Sequence, residues 1–332
     1  MAGVLFFPIV LVTIVRIDRL FFLRGQRYFL TLDRTQVMNK TISRRQALVS
    51  LAAVTAGAVL QTRTVFAAEP AKTAVRFPVI GDFGTGNSDQ FGVAKQMFAA
   101  HGQTPFDFVI AAGDNIYPNG SGRYFTKHFE QPFAALLKDR VSFHAVLGNH
   151  DVRDGRQDQC QYPLFNMGGR NYYTIKQGDG LLDVFMLDST DFDTTQVGWL
   201  EQQLKSSTAR WKLAVFHHPL YSSGKKHGSD LALRRMLEPM FVRYGVNAVF
   251  SGHDHIYERT IPQQGIQYFV TGAGGESRRG NVDLKSPFRA TSYDEDNHFM
   301  LVDVEHDQIR FQAISETGKV VDRGVIRPFE QS

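Results

Sequence analysis

Five short blocks of the sequence concentrate side chains that can hold metal ions. They are Gly81-Asp82-Phe83-Gly84, Gly113-Asp114-Asn115-Ile116-Tyr117, Gly148-Asn149-His150-Asp151, His217-His218-Pro219 and Gly252-His253-Asp254-His255. Carboxylate, phenol, amide and imidazole donors without a thiolate suit Fe, Zn or Mn rather than a sulfur-seeking ion. His253 and His255, two positions apart, can both aim at a pair of neighbouring ions, and Asp114 can bridge such a pair through its two oxygens. A two-metal centre of this kind supplies an activated water and positive charge at developing oxyanions, which is hydrolytic chemistry. Each block alone reads more simply: Gly-Asp after a strand is common turn chemistry, and His217-His218 alone reads as a polar edge of the core. The five together point to one site.

The segments that must position these blocks are short and β-rich. Strands are expected over 75–80, 107–112, 141–147, 181–187, 211–216, 246–251 and 266–271, each rich in Val, Ile or Phe and ending near Gly, Asp, Asn or His. Helices are expected at about 89–101, 125–138, 194–206 and 230–244, and a β-hairpin over 298–304 and 308–314 around His306-Asp307. Alternating strands and helices, with strands apolar throughout, predict an α/β domain whose sheets are covered on both faces. In such domains ligands bind beyond the C-terminal strand ends, and five of the expected strands end in the five blocks. One catalytic domain over 69–332 is the simplest division.

Charge separates this domain from what precedes it. The chain of 332 residues carries 37 Lys and Arg against 33 Asp and Glu, but residues 1–68 hold nine of the basic residues and two of the acidic ones. The remainder is slightly acidic, with no basic run that could track a nucleic-acid backbone, so no nucleic-acid partner is expected. A phosphate-binding site in it would draw positive charge from metal ions. Cys160 is the only cysteine, which excludes an intramolecular disulfide.

Residues 38–68 read as a signal peptide: a basic start, a weakly apolar stretch from Ala47 to Leu60, and small residues at Ala67 and Ala68. Arg44-Arg45 after Ser43, with Leu48 following, resembles a bacterial twin-arginine signal. That resemblance implies the twin-arginine export machinery as a partner and a periplasmic or secreted location. Residues 1–37, an apolar run and a basic-aromatic stretch upstream of a complete signal, are expected to come from a misassigned start, with translation beginning at Met38. A peptide from 1–37 in the unprocessed precursor would contradict this and favour a membrane anchor.

The five blocks together resemble the metallophosphoesterase superfamily. Tyr117, three residues after Asp114, makes the chain similar to the purple acid phosphatases, as do Trp199-Leu200-Glu201, Pro219-Leu220-Tyr221 and Gly272-Ala273-Gly274-Gly275. The similarity spans roughly 75–315, and its compact size resembles the small mammalian-type enzymes. It implies a four-layer αββα sandwich with a dinuclear site at the C-terminal strand ends. It further implies that Asp82, Tyr117 and His255 hold Fe(III), that Asn149, His217 and His253 hold a divalent Fe, Zn or Mn ion, and that Asp114 bridges. His217 is preferred because the family ligand lies two residues before the proline; His218 is the fallback. Phe83 departs from the family's usual Trp.

The implied activity is hydrolysis of phosphate monoesters, a metal-held hydroxide attacking phosphorus, by a monomer acting on small phosphorylated substrates at acidic pH. His150 and His227 are expected to contact phosphate or protonate the leaving group, and Asp151 and Asp254 to orient their neighbouring histidines. The loop from Ser222 to Gly228 differs in length from some relatives, which loosens the match of His227. A phosphodiesterase of the same superfamily and a non-catalytic phosphate- or metal-binding protein are the alternatives. Tyr124, Arg156, Lys225 and Arg278 stand in loops expected to wall the pocket.

Overall fold

The apolar runs fold into two mixed sheets whose inner faces share one core. The computed structural model describes residues 74–106 and 108–328; the segments 1–37 and 38–68 lie outside the described residues. The first sheet has parallel strands β1 (Ala74–Ile80), β2 (Phe108–Ala111) and β3 (Ser142–Ala145). Antiparallel β11 (His298–Glu305), β12 (Ile309–Ser315) and β13 (Val320–Ile326) extend it, in the order β13-β12-β11-β1-β2-β3. The second sheet runs β10-β8-β9-β7-β6-β5-β4. Its members are β4 (Tyr173–Gln177), β5 (Leu182–Met186), β6 (Trp211–Val215), β7 (Ala248–Ser251), β8 (Tyr257–Thr260), β9 (Gln267–Thr271) and β10 (Arg289–Tyr293). Strands β5, β6, β7 and β9 are parallel.

Phe77 and Phe311 of the first sheet share a core with Val215, Phe250 and Phe269 of the second, and the Phe269 and Phe311 rings meet edge-on at 4.9 Å. Each such side chain withdrawn from water contributes about 1.5–3 kcal/mol. Helix α1 (Ser88–Gln103), capped by the Asn87 side chain on Gln90 N, packs on the first sheet against β11 and β12. Helices α3 (Thr194–Ser206) and α4 (Leu231–Tyr244) bury Leu200, Leu204, Leu233, Leu237 and Phe241 against Phe185, Phe216, Val249 and Tyr268 of the second sheet. Asp193 and Asp230 cap these two helices. The result is the αββα sandwich.

Two expectations need correcting. The helix at 125–138 is broken into a 3-10 turn (Gly122–Tyr124), a π turn (Thr126–Glu130) and α2 (Ala134–Lys138). Pro132 explains the break, since it lacks an N–H and its ring crowds the preceding turn. Strands β4, β8, β10 and β13 escaped the sequence reading. β13 and β10 are half-exposed along their length, and their place is set by hydrogen bonds to a neighbour rather than by an apolar run.

Candidate metal centre

The five blocks leave the C-terminal ends of β1, β2 and β3 in the first sheet and of β6 and β7 in the second. The site therefore straddles two sheets rather than lying on one crevice. Gly81 N donates to Thr271 O at 2.9 Å and Gly274 N to Gly81 O at 2.9 Å, which joins the two sheets beside the site. Asp82 N donates to Gly113 O at 2.9 Å and Tyr117 N to Gly84 O at 2.8 Å, so the first two blocks brace each other.

The backbone turns sharply at the donor residues themselves. Asp82, Asp114 and His253 have φ of 55°, 50° and 73°, a region that non-glycine residues seldom adopt and that clusters at functional sites. The glycines at Gly148 and Gly252 serve closeness instead. A Cβ there would come within 2.2 Å of Asp114 Oδ1 and 2.3 Å of Asp82 Oδ2.

Each buried carboxylate divides its oxygens between fold and site. Asp114 Oδ1 accepts His150 N at 2.8 Å, and Asp82 Oδ2 accepts His253 N at 2.8 Å. That leaves Asp82 Oδ1 at 3.2 Å from Tyr117 Oη and 3.5 Å from His255 Nε2. Asp114 Oδ2 stands 3.1 Å from Tyr117 Oη and 3.5 Å from His217 Nε2. His217 Nε2 also meets Asn149 Oδ1 at 3.1 Å and His253 Nδ1 at 3.2 Å. All seven expected donors thus fall into two groups, Asp82/Tyr117/His255 and Asn149/His217/His253, joined at Asp114. The join runs through one oxygen, Oδ2. The other oxygen, Oδ1, accepts the backbone N–H of His150.

His217 and His218 face differently. His217 Nδ1 lies 3.0 Å from Ala112 O, which places a ring proton on Nδ1 and turns Nε2 to the site. Ser189 Oγ accepts the backbone N–H of His218 at 3.0 Å and meets its Nδ1 at 2.9 Å. Among the described residues two clusters could take an ion, Asp82-Asp114-His217 and His217-His218-His253, and His217 belongs to both.

The residues fit a pair of cations. Asp82 is 0% and Asp114 2% exposed, and among the described residues neither has a Lys or Arg ion-pair partner. Burial, reinforced by Asp114, pushes the Asp82 carboxyl well above its ordinary value. Burial opposes ionisation of Asp114 too, yet the His217 charge holds that carboxyl below its usual range. Burial disfavours a charged His217, but Asp114 and Asp82 pull it up to about 10. Burial and the same two carboxylates raise the Tyr117 phenol well above normal. One phenol hydrogen faces two carboxylate oxygens and, at 3.2 Å, His255 Nε2. Lone pairs left facing one another at such distances are what metal ions resolve.

Around this centre His150 packs its ring 4.6 Å from Tyr117, with Nδ1 2.7 Å from Pro118 O and Nε2 3.3 Å from Arg153 Nη2. The His227 ring lies 4.1 Å from that of His253. Asp151 and Asp254 do not orient histidines. The Asp151 carboxylate accepts the N–H groups of Asn115, Ile116 and Gly148 at 2.9–3.0 Å and Gln159 Nε2 at 2.7 Å, fastening two donor loops together. Asp254 Oδ2 accepts Ser222 Oγ at 2.6 Å and Gly228 N at 3.0 Å, fixing the loop that carries His227. His128 is buried with Nδ1 3.0 Å from both Gly84 O and Tyr117 O. No spacing in the sequence signals that role. Of the expected wall residues, Tyr124 stacks on His128, Arg156 pairs with Asp188 and Thr190, and Lys225 Nζ donates to Gly280 O.

Glu258, fully buried on β8, supports the same loop by accepting Ser223 N at 2.7 Å. Burial pushes its carboxyl up to about 7 against the pull of Ser223. The unfolded chain releases this proton near pH 4.5 and the folded one holds it until about 7. The stability it contributes is complete below the lower value and is lost as pH rises through the upper one. Glu258→Gln is therefore expected to flatten the fall in melting temperature between pH 4.5 and 7; an unchanged slope would contradict this assignment.

Residues 75–257 match the family model described as calcineurin-like phosphoesterase. Purple acid phosphatase 17 of Arabidopsis thaliana is 32% identical over 249 residues, covering 65% of this chain and 73% of that protein. Tartrate-resistant acid phosphatase type 5 of Homo sapiens is 26% identical, covering 76% and 90%. Among solved structures, purple acid phosphatase PPD1 from yellow lupin (Lupinus luteus) seeds superposes with a TM-score of 0.65 at 18% identity, over 78% of this chain and 55% of that one. GAP50, the anchor in the inner membrane complex of Plasmodium, gives 0.69 at 18% identity over 79% and 91%. These last two likenesses speak for the fold alone. The family match and the 32% identity carry the assignment: the chain belongs to the calcineurin-like phosphoesterase family, as a metal-dependent phosphatase homologous to the purple acid phosphatases.

Proposed function

We propose that the chain hydrolyses phosphate monoesters at a dinuclear centre. In this reading Asp82, Tyr117 and His255 hold Fe(III), Asn149, His217 and His253 hold a divalent Fe, Zn or Mn ion, and Asp114 bridges them. The observation that carries it is the position of Asp114 Oδ2, 3.1 Å from Tyr117 Oη and 3.5 Å from His217 Nε2, common to both donor groups. Bound there, the ions would supply positive charge at phosphate oxygens and acidify a water at modest pH. Three hard oxygen donors on one side favour a trivalent ion, and the imidazole-rich side a divalent one.

The chain's own histidines divide the remaining work. His150, its ring set beside Tyr117 by Pro118 O at Nδ1 and by the Arg153 guanidinium at Nε2, orients the phosphate. His227, on the exposed loop beside His253, delivers the proton to the leaving oxygen. Metal analysis with a visible spectrum and a pH profile on an aryl phosphate tests the whole. Iron, a visible band and activity below neutrality are expected; a colourless Mn-dependent diesterase would overturn the proposal. Tyr117→Phe is expected to abolish the band, and its persistence would remove Tyr117 from the iron.

A further inference from the structure

Two loops form the wall beside His255 and His227. Residues 222–228 and 278–283 are zipped together by Lys225 N on Asn281 O at 2.7 Å, Lys226 N on Asn281 Oδ1 at 3.1 Å and Asp283 N on Ser223 O at 2.7 Å. Arg278 enters this wall directly from the centre, its N donating to His255 O at 3.0 Å. Its side chain is 25% exposed, and the buried Nη1 has no hydrogen-bond partner. Its nearest carboxylate oxygen, Glu276 Oε1, stands 3.8 Å from Nη2, beyond hydrogen-bond reach. The same oxygen lies 3.8 Å from His255 Nδ1, so guanidinium and imidazole flank one half-exposed carboxylate.

Two other arginines have close acceptors for their guanidinium groups. Arg259 Nε donates to Asp322 Oδ2 at 2.7 Å, and Arg156 Nη2 to Thr190 Oγ1 at 2.8 Å. Lys226 adds a second cation to the wall that carries Arg278, its N donating to Asn281 Oδ1 at 3.1 Å. A partly desolvated guanidinium with an open donor, beside a centre that handles phosphate, is suited to a planar anion held by two hydrogen bonds.

We propose that Arg278, assisted by Lys226, is a specificity-determining residue that binds a second phosphate group of the substrate. The substrates favoured are then phosphate esters or anhydrides carrying two phosphates, over those with an uncharged leaving group. The proposal rests on the phosphatase reading above. Glu276 occupies the subsite's edge and must yield to the incoming anion.

Calorimetric titration of the metal-loaded protein with methylenediphosphonate, whose P–C–P bridge cannot be hydrolysed, and with orthophosphate reads the second group without turnover. Wild type is expected to favour the diphosphonate by at least about tenfold, and Arg278→Gln to lose most of that margin. Arg278→Lys, which keeps charge without the fork, is expected to recover part of it. Glu276→Gln is expected to widen it. Melting curves establish that each variant is folded, and Arg278→Lys carries the comparison if Arg278→Gln is not. An absent margin in wild type, or an unchanged margin in the folded Arg278 variant, overturns the subsite. Phenyl phosphate hydrolysis assayed in parallel separates the two claims: its absence in wild type overturns the phosphatase reading and leaves the binding result to stand by itself.

Discussion

Asp114→Asn is expected to cost turnover of an aryl phosphate on the order of a thousandfold, and to leave fewer than two metal ions per chain. The residue is 2% exposed and offers a single oxygen to both donor groups. The amide keeps an oxygen for His150 N, which now lies 2.8 Å from Asp114 Oδ1. It removes the negative charge that would hold two cations together and puts a weak neutral donor at the shared position. The metal-free protein should melt within about 1 kcal/mol of wild type, because the substitution also relieves Asp82, whose carboxyl Asp114 helps to push up. A variant that retains two ions and near-native activity would show that Asp114 is not the bridge. One that loses activity by unfolding without metal would show that the residue is chiefly structural.

The second large effect is a contrast between neighbours. His217→Ala should lower activity at least about tenfold more than His218→Ala and should release one of the two ions. The His217 ring is fixed by Ala112 O at 3.0 Å, with Nε2 facing Asn149, His253 and Asp114. His218 sits against the same ions' neighbourhood, its ring 4.6 Å from His253, but its Nδ1 is held by Ser189. Burial and the His217 charge bring its basicity down to about 4, so it stays neutral through the working range. Metal analysis of both variants decides between them. If His218→Ala is the one that releases an ion, His218 is the ligand.

The chemistry of this chain was legible wherever local sequence carries its own signal. Apolar runs followed by Gly-Asp, Gly-Asn or Gly-His mark strands that end at a site, and the fold and its metal-donor blocks follow from that pattern. Where the signal is not local, reading failed. Strand β13 lacks an apolar run and is placed by pairing with β12. The helix expected over 125–138 ignored Pro132. Arg156 and Arg278 look alike in sequence, but one pairs with Asp188 and the other keeps a donor open.

The sequence by itself therefore determined which residue types are present to hold ions and that they leave strand ends. Only the tertiary structure decided which atoms face inward. A carbonyl 105 residues away orients His217, and the backbone of His150, 36 residues on, takes one oxygen of Asp114 and leaves the other to the site. Those choices come from hydrogen bonds between distant segments brought together by two packed sheets, and no spacing along the chain records them.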